Sequence, residues 1–135
     1  MKTVFVDTNV ILDVLLQNDG FWQDSEKIFR LVERGEVKGF ISASCVTDIF
    51  YIARKRLALD LARQAIEGLL SIFEVVGIDG DDLRGALSIP LEDYEDALQV
   101  YCAKKAGVDA FITRDLDGFP DIGVAVVTPT DFYPD

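Results

Sequence analysis

The sequence predicts an α/β protein whose strands form a parallel sheet. Five short runs rich in Val, Ile and Phe alternate with longer segments in which apolar residues recur at helical spacing. Alternating strand and helix signals are typical of parallel sheets covered by helices. Half of the 135 residues are apolar, which supplies enough hydrophobic surface for a folded core.

The predicted elements follow one another with short connections. The strands are predicted at residues 2–6, 38–42, 73–78, 110–113 and 124–128, and the helices at residues 9–16, 22–34, 43–56, 59–72, 80–87 and 91–106. Gly35, Gly39, Gly77 and Gly107 lie where we expect elements to end, since glycine suits helix C-caps and turns. No repeat, low-complexity stretch or linker divides the sequence, so we expect one domain over residues 1–135.

Composition narrows the possible chemistry. The chain contains no histidine, which excludes Ser-His-Asp and Cys-His catalysis and His-ligated zinc within it. Cys45 and Cys102 fall in apolar helical segments without metal-ligand spacing and are predicted to be buried free thiols. The net charge of −11 disfavours tight, unassisted nucleic-acid binding, because phosphate contacts require Lys and Arg. No apolar run is long enough for a membrane span or a signal-peptide core, so we expect a cytoplasmic protein.

Four aspartates lie at positions where we expect a carboxylate to bind a cation or to take part in a reaction. Asp7 ends the first predicted strand, and Asp115 follows the fourth by two residues. Ligands of open α/β sheets bind beyond the carboxyl ends of strands, near the point where strand order reverses. Asp48 and Asp96 lie inside predicted helices. If those helices flank the same edge, all four carboxylates converge on an oxygen-lined site for Mg²⁺ or Mn²⁺.

Each of the two helical aspartates has a structural alternative. Asp48 shares an apolar stripe with Cys45 and Ile49, where an unpaired charge is costly, so it either binds metal or pairs with a basic residue at the rim. Asp96 is predicted to lie a turn inside a helix whose two faces both carry apolar residues. Acidic residues are also favoured at helix starts, an explanation that suits the acids preceding Asp96 better than Asp96 itself.

The four positions and their flanking residues resemble those of PIN-domain nucleases, of the compact bacterial and archaeal kind that includes VapC-type toxins. The matching stretches are residues 6–10, 44–48, 93–98, 112–119 and 126–129. The resemblance implies a three-layer, Rossmann-like fold with a central, mainly parallel five-stranded sheet between helices, and frequent homodimers. It implies an acidic metal site made of Asp7, Asp48, Asp96 and Asp115, oriented by the hydroxyl and amide groups of Thr8, Asn9, Ser44 and Thr113.

Two departures from the family pattern bear on this site. The second acid is most often glutamate in these toxins, and the shorter Asp48 would make its metal contact water-mediated. Asp115 and Asp117 are both available for the fourth position. Asp115 is favoured because it directly follows the Thr-Arg pair, and Asp117 is then a water-mediated ligand or a loop residue.

The resemblance implies an Mg²⁺- or Mn²⁺-dependent endoribonuclease that acts as the toxin of a toxin-antitoxin pair. One or two divalent ions can activate water and neutralise charge that develops on phosphorus, without histidine. An antitoxin would insert a basic side chain near the carboxylates and dock on Phe21 and Trp22, although Trp22 alternatively packs as a core residue at a helix start. Candidate phosphate contacts, each with an alternative helix-end or ion-pair role, are Arg54, Lys55, Arg56, Lys104, Lys105 and Arg114.

Two other functions fit parts of the sequence. A phosphatase with Asp7 as covalent nucleophile would want a second aspartate where Asn9 stands. A non-catalytic scaffold that binds RNA or protein needs no metal site, and the aspartate at position 48 leaves room for it. Carboxylate-dependent binding of Mg²⁺ or Mn²⁺ separates the nuclease from the scaffold.

Overall fold

A computed structural model describes residues 1–134 of the chain. Its strands are β1 (Lys2–Val6), β2 (Val37–Ser42), β3 (Glu74–Val76), β4 (Ala110–Ile112) and β5 (Ala125–Val127). Its α-helices are α1 (Thr8–Leu16), α2 (Trp22–Glu33), α3 (Ala43–Arg54), α4 (Leu59–Ile72), α5 (Gly80–Ala86) and α6 (Tyr94–Ala106), and a short 3-10 helix spans Leu116–Gly118. None of these helices is long and apolar enough to cross a membrane. The alternation predicted from the sequence is confirmed.

The strands form one parallel sheet in the order β3-β2-β1-β4-β5. The chain builds outward from β1 to β3, then returns to the other side of β1 to add β4 and β5. Strand order therefore reverses between β1 and β4, where Val6 pairs with Ile112. Ligand sites of open α/β folds lie at such a switch point, beyond the carboxyl ends of the strands.

Two apolar clusters cover the two faces of the sheet. One cluster packs α1 to α4 against one face and includes Val4, Val6 and Ile112, and the other packs α5 and α6 against the opposite face around Phe5 and Phe111. Central strands that are buried on both faces read as continuous apolar runs, as β1 does. The predicted three-layer arrangement of a five-stranded sheet between helices is confirmed.

Cys45 and Cys102 lie in opposite clusters, and both are buried free thiols, as the sequence predicted. Burial raises the pKa of each thiol to about 11. At neutral pH both side chains are therefore protonated and pack as small hydrophobic groups.

Gly39 does not end an element, contrary to the sequence expectation, because it lies inside β2. A Cβ atom at this position would lie 2.7 Å from Cδ1 of Phe73 and 2.9 Å from Cγ2 of Val32. Glycine is therefore required at this position by close packing. Gly107, in contrast, ends α6 with φ of 69°, as expected for a left-handed C-cap.

Candidate metal centre

Asp7 is the most deeply buried carboxylate of the predicted set, with 5% of the residue exposed. It follows β1 at the switch point and caps α1 by accepting a hydrogen bond from the Thr8 backbone N–H at 2.7 Å on Oδ1. The Thr113 hydroxyl donates to its Oδ2, also at 2.7 Å. Burial raises the pKa of Asp7, the hydrogen bonds oppose that rise, and the charge of Asp115 adds to it. The carboxylate is thus fixed in orientation but poorly solvated, which favours a bound cation.

Gln99 holds the same carboxylate from α6, a role that the sequence analysis missed. It is almost fully buried, and its Nε2 donates to Asp7 Oδ1 at 2.8 Å. Among residues 1–134, its Oε1 and the Thr8 Oγ1 are buried without a hydrogen-bond partner. Unpaired buried oxygens are rare and point to an unseen water or ion. One feature of the sequence could have identified Gln99: it is a polar amide on a helix with apolar residues on both faces.

Asp96 and Asp115 reach the same region from α6 and from the loop after β4. Partial burial, followed by the charges of Asp93, Asp7 and Asp115, raises the pKa of Asp96 to about 6. These mutual effects place Asp7, Asp96 and Asp115 in one electrostatic group, which we call the acidic cluster.

The start of α6 differs from the prediction. The helix begins at Tyr94, and Asp93 caps it by accepting a hydrogen bond from the Asp96 backbone N–H at 3.1 Å. Asp96 is therefore a first-turn residue, and the expectation that it lies a turn deeper is wrong. The sequence 91–93 resembles a first turn only because its acids suit the N-terminal helix dipole.

Asp48 faces Glu95, a second residue that the sequence analysis did not single out. Burial raises the pKa of Glu95, and the nearby negative charge of Asp48 raises it further. The pairing of Asp48 with a basic residue, one of the two sequence alternatives, is not the arrangement found.

The predicted supporting residues divide into two groups. Asn9 contacts Thr113 Oγ1 through its Nδ2 at 3.4 Å and accepts the Arg114 backbone N–H at 3.4 Å, so it ties α1 to the loop after β4. Ser44 instead hydrogen-bonds the hydroxyl of Ser42 at 3.1 Å, at the start of α3. The Thr113 hydroxyl and the Thr8 backbone therefore hold Asp7 directly and Asn9 contacts Thr113, whereas Ser44 contacts the α3 cap.

The loop after β4 presents both Asp115 and Asp117. The Asp115 backbone N–H donates to Thr113 Oγ1 at 3.1 Å, and its Oδ1 accepts the Gly118 N–H at 3.1 Å. Asp117 is exposed and lines a depression of about 340 Å³ together with Asp96. The charge of Asp115 raises the pKa of both Asp7 and Asp96. This supports Asp115 as the fourth of the predicted acidic residues, with Asp117 beside it at the rim of the depression.

The donor set fits a divalent cation bound largely through water. Within residues 1–134 no three Asp, Glu or Cys side chains are gathered closely enough to ligate one ion together. Mg²⁺ commonly takes only one or two protein carboxylates and keeps several waters. Asp7, Asp96 and Asp115, together with the unpaired Oε1 of Gln99, whose amide contacts Asp7, offer the hard oxygen donors that such an ion prefers.

Arg114 engages Asp13, a buried carboxylate that the sequence analysis also missed. Arg114 Nε lies 2.7 Å from Asp13 Oδ2, and the Asp13 side chain is fully buried. Asn18 Nδ2 and Ser25 Oγ donate to the same carboxylate at 3.0 and 3.5 Å. The guanidinium also lies 4.2 Å from the ring centroid of Phe21. This pair joins α1 and the loop after β4 immediately before Asp115.

The other basic candidates are distributed around the molecule. Lys105 forms an ion pair with Asp82 at 2.9 Å, Arg54 donates to the Leu57 carbonyl at 3.0 Å, and Arg56 donates to Asn18 Oδ1 at 3.4 Å. Lys55 and Lys104 are exposed. Contact of these side chains with RNA stays a prediction. Lys104 and Lys105 lie in the last turn of α6, as the helix-end alternative expected, and Lys105 also forms an ion pair, a role that was expected for Arg54 to Arg56 instead.

The chain thus combines a parallel five-stranded sheet with acidic residues at its switch point. The chain belongs to the PIN domain family, whose pattern matches residues 3–117. It is 26% identical over 129 residues to "Ribonuclease VapC1" of Aquifex aeolicus (strain VF5), which covers 91% of this chain and 89% of that protein.

Solved structures share the fold. The chain superposes on a structure described as FitAB bound to IR36 DNA fragment, with a TM-score of 0.73, 18% identity and coverage of 96% and 97% of the two chains. It also superposes on a toxin-antitoxin complex from Klebsiella pneumoniae, with a TM-score of 0.70, 22% identity and coverage of 93% and 97%. The resemblance inferred from the sequence is confirmed at the level of the family.

Proposed function

We propose that this protein is an Mg²⁺- or Mn²⁺-dependent endoribonuclease whose catalytic acids are Asp7, Asp48, Asp96 and Asp115. The observation that carries the proposal is the Asp7 carboxylate, buried at the switch point and held by three hydrogen-bond donors while two further acids act on it electrostatically. A purely structural carboxylate would be paired with a cation of the protein, as Asp13 is with Arg114. Membership of the PIN domain family and the ribonuclease name of the Aquifex relative support the same activity.

Each residue of the acidic cluster has its own role in the proposed reaction. A bound divalent ion would supply an activated water and neutralise charge that develops on the phosphate. Asp7 is kept in one orientation by Thr113, Gln99 and the start of α1, so it presents a fixed oxygen without reorganisation. Asp96 and Asp115 would hold the same ion directly or through its waters.

Asp48 and Glu95 have a different part in the proposal. Because the negative charge of Asp48 adds to the effect of burial in raising the pKa of Glu95, Glu95 keeps its proton to a higher pH than a free glutamate does. A carboxyl pair of this kind can position water and exchange a proton with it. Asp48 then contributes through water, as its short side chain suggested.

The first experiment is cleavage of a mixed pool of structured RNA by the purified protein with Mg²⁺, with Mn²⁺ and with EDTA. We expect metal-dependent cutting that the substitution Asp96→Asn abolishes. Asp121→Asn is the matched control, because it removes the same charge from an exposed loop residue. Cleavage by Asp96→Asn at the rate of the unmodified protein would exclude the proposed site.

Metal binding separates a nuclease from a degenerate scaffold. Titration calorimetry with Mn²⁺ should detect binding that weakens on Thr113→Val, because valine has a similar shape but removes the hydroxyl donor to Asp7. Loss of a partner that orients a metal-binding carboxylate typically costs about 10- to 100-fold in metal affinity. A folded protein with no carboxylate-dependent Mn²⁺ binding would favour the scaffold. A phosphoryl group trapped on Asp7 would favour the phosphatase.

We further propose that the protein is the toxin of a toxin-antitoxin pair. Support comes from the solved toxin-antitoxin relative and from an apolar groove of about 460 Å³ between α3 and α4 that exposes Tyr51 and Leu70 to solvent. Exposed apolar surface of this kind marks protein interaction sites and would suit either an antitoxin or the second copy of a homodimer. Expression in a bacterial host should arrest growth, and Asp96→Asn should relieve the arrest. Light scattering on the purified protein tests the homodimer.

A further inference from the structure

We propose that a cavity beside Arg114 binds one nucleobase of the RNA substrate and prefers bases that carry an exocyclic amino group. The cavity, called here the edge cavity, has a volume of about 410 Å³ and is lined by Gly20, Phe21, Asp24, Ser25, Arg114 and residues 128–130. The identity of the ligand rests on the proposed ribonuclease function, but binding to the cavity can be measured without cleavage.

The edge cavity lies at the same edge of the sheet as the acidic cluster. Arg114 follows β4 and Thr128 follows β5, and these strands are parallel neighbours whose ends pair at Ile112 and Val127. Adjacent strands are about 4.8 Å apart. Asp115 is the next residue after Arg114, so the loop after β4 contributes to both the edge cavity and the acidic cluster.

The wall of the cavity offers a preformed stacking surface. The Arg114 guanidinium lies over the Phe21 ring at 4.2 Å, and its Nε is fixed by the buried carboxylate of Asp13. Phe21 nevertheless remains 46% exposed, although it is a large apolar side chain. Unpaired bases of RNA stack on aromatic rings and on guanidinium planes. Because the pair is already held in place, little side-chain entropy is lost when a base binds.

The charges of the wall favour a base over a phosphate. The positive charge of Arg114 is already paired with Asp13, and Asp24 places a second carboxylate on the cavity. Lys27 Nζ lies 3.5 Å from the carbonyl of Thr130, so the two acidic and two basic side chains around the cavity balance. The cavity therefore offers a phosphate no excess positive charge, whereas a neutral aromatic ligand needs none.

Asp24 supplies the selectivity. Its Oδ2 accepts a hydrogen bond from Thr130 Oγ1 at 2.9 Å, which fixes the carboxylate at the rim. An ionised carboxylate only accepts hydrogen bonds and has about four acceptor positions. Adenine and cytosine present amino donors on their pairing edges, whereas uracil presents carbonyl oxygens on either side of a single N–H. Uracil can offer Asp24 only its N3–H, between carbonyl oxygens that the carboxylate repels, so we expect it to bind least tightly of these three bases.

The test measures binding of fluorescently labelled adenine, cytosine and uracil oligoribonucleotides, each six nucleotides long, to the full Asp96→Asn protein by anisotropy with Mg²⁺ present. We expect the adenine and cytosine oligomers to bind at least about fivefold more tightly than the uracil oligomer. Phe21→Ala should weaken binding of the adenine oligomer about tenfold, the usual scale for loss of one stacking partner. Asp24→Asn should abolish the preference, because an amide also donates to carbonyl oxygens.

Matched controls isolate the cavity. Leu87→Ala removes another exposed apolar side chain, at the end of α5, and Asp19→Asn removes a charge from the neighbouring loop without touching the cavity wall. Neither control should change the affinity for RNA. Phe21 and Asp24 are both exposed, and circular dichroism checks that their variants fold.

The outcomes separate this proposal from the ribonuclease proposal. Equal affinity for the three oligomers, or binding that Phe21→Ala leaves unchanged, overturns the nucleobase site even if the unmodified protein cleaves RNA. Base-dependent binding through Phe21 and Asp24 supports the site even if no cleavage is found. Loss of a protein partner in Phe21→Ala with unchanged RNA affinity also overturns it, and assigns the cavity to protein recognition.

Discussion

Substitution of Arg114 by methionine should destabilise the protein by about 3 kcal/mol. The change removes the charge that lies 2.7 Å from the fully buried carboxylate of Asp13 and leaves it with the Asn18 amide and the more distant Ser25 hydroxyl as donors. Removing one member of a buried ion pair typically costs about 3–5 kcal/mol, because the other charge stays buried without compensation. We take the lower end, since about a third of the Arg114 side chain is exposed.

The assay is urea unfolding at pH 7, monitored by circular dichroism, with the free energy of unfolding extrapolated to water. Arg30→Met is the matched control, because Arg30 lies 2.6 Å from Glu26 in an exposed pair one helical turn apart. That pair is expected to contribute less than about 0.5 kcal/mol. The two ion pairs have nearly equal lengths, so the comparison isolates burial.

A double-mutant cycle completes this test. Asp13→Asn combined with Arg114→Met leaves neither charge buried, so the double variant should be more stable than the sum of the two single losses predicts. A loss below about 1 kcal/mol for Arg114→Met, equal to that of Arg30→Met, would refute the reasoning. It would mean that water reaches Asp13 and that the pair does not anchor the loop before Asp115.

Three other predictions follow from the same structure. In the metal-free protein, the pKa of Asp96 is raised to about 6, so its ionised form destabilises the fold above that pH. Asp96→Asn should therefore raise the free energy of urea unfolding at pH 7.5 by about 1 kcal/mol after allowance for solvent screening, and this gain should vanish as the pH falls to 4. Gly39→Ala would place a Cβ 2.7 Å from an aromatic ring and should lower the free energy of unfolding, measured by thermal unfolding, by about 2 kcal/mol. Gly68→Ala has open space around it in α4 and should raise that free energy by about 0.5–1 kcal/mol. Equal effects of the two substitutions would contradict the packing argument. Cys45 and Cys102, whose thiol pKa values are about 11, should fail to react with a thiol reagent at pH 8 until the protein unfolds, and fast reaction of either thiol would show that it is accessible.

The arrangement of strands and helices could be predicted because it depends on local patterns. Apolar runs bounded by turns identify buried strands, and recurrence at helical spacing identifies the helices between them. All five strands and six α-helices of residues 1–134 lie within a few residues of their predicted positions. The largest error, the start of α6, arose because the choice among several acids as N-cap depends on which side chain reaches the backbone, as Asp93 does.

The positions of the acidic residues could also be predicted, whereas their partners could not. A carboxylate at the end of a parallel strand lies at the ligand-binding edge by topology alone, which identified Asp7 and Asp115. Gln99 contacts Asp7 across 92 residues of sequence, and Arg114 contacts Asp13 across 101. Nothing in the sequence near either residue indicates that contact.

What the sequence determined by itself was the alternation of elements, the absence of histidine chemistry and the places where carboxylates meet the sheet edge. Only the tertiary structure decided which charge each carboxylate meets. In the folded chain Asp13 pairs with Arg114 and Asp48 lies close to Glu95, whereas Gln99 and Thr113, which donate hydrogen bonds to Asp7, are neutral. The physical reason is that patterns along the chain report burial, which is local, whereas the pKa and the ligands of a buried acid depend on groups that folding brings together from distant segments.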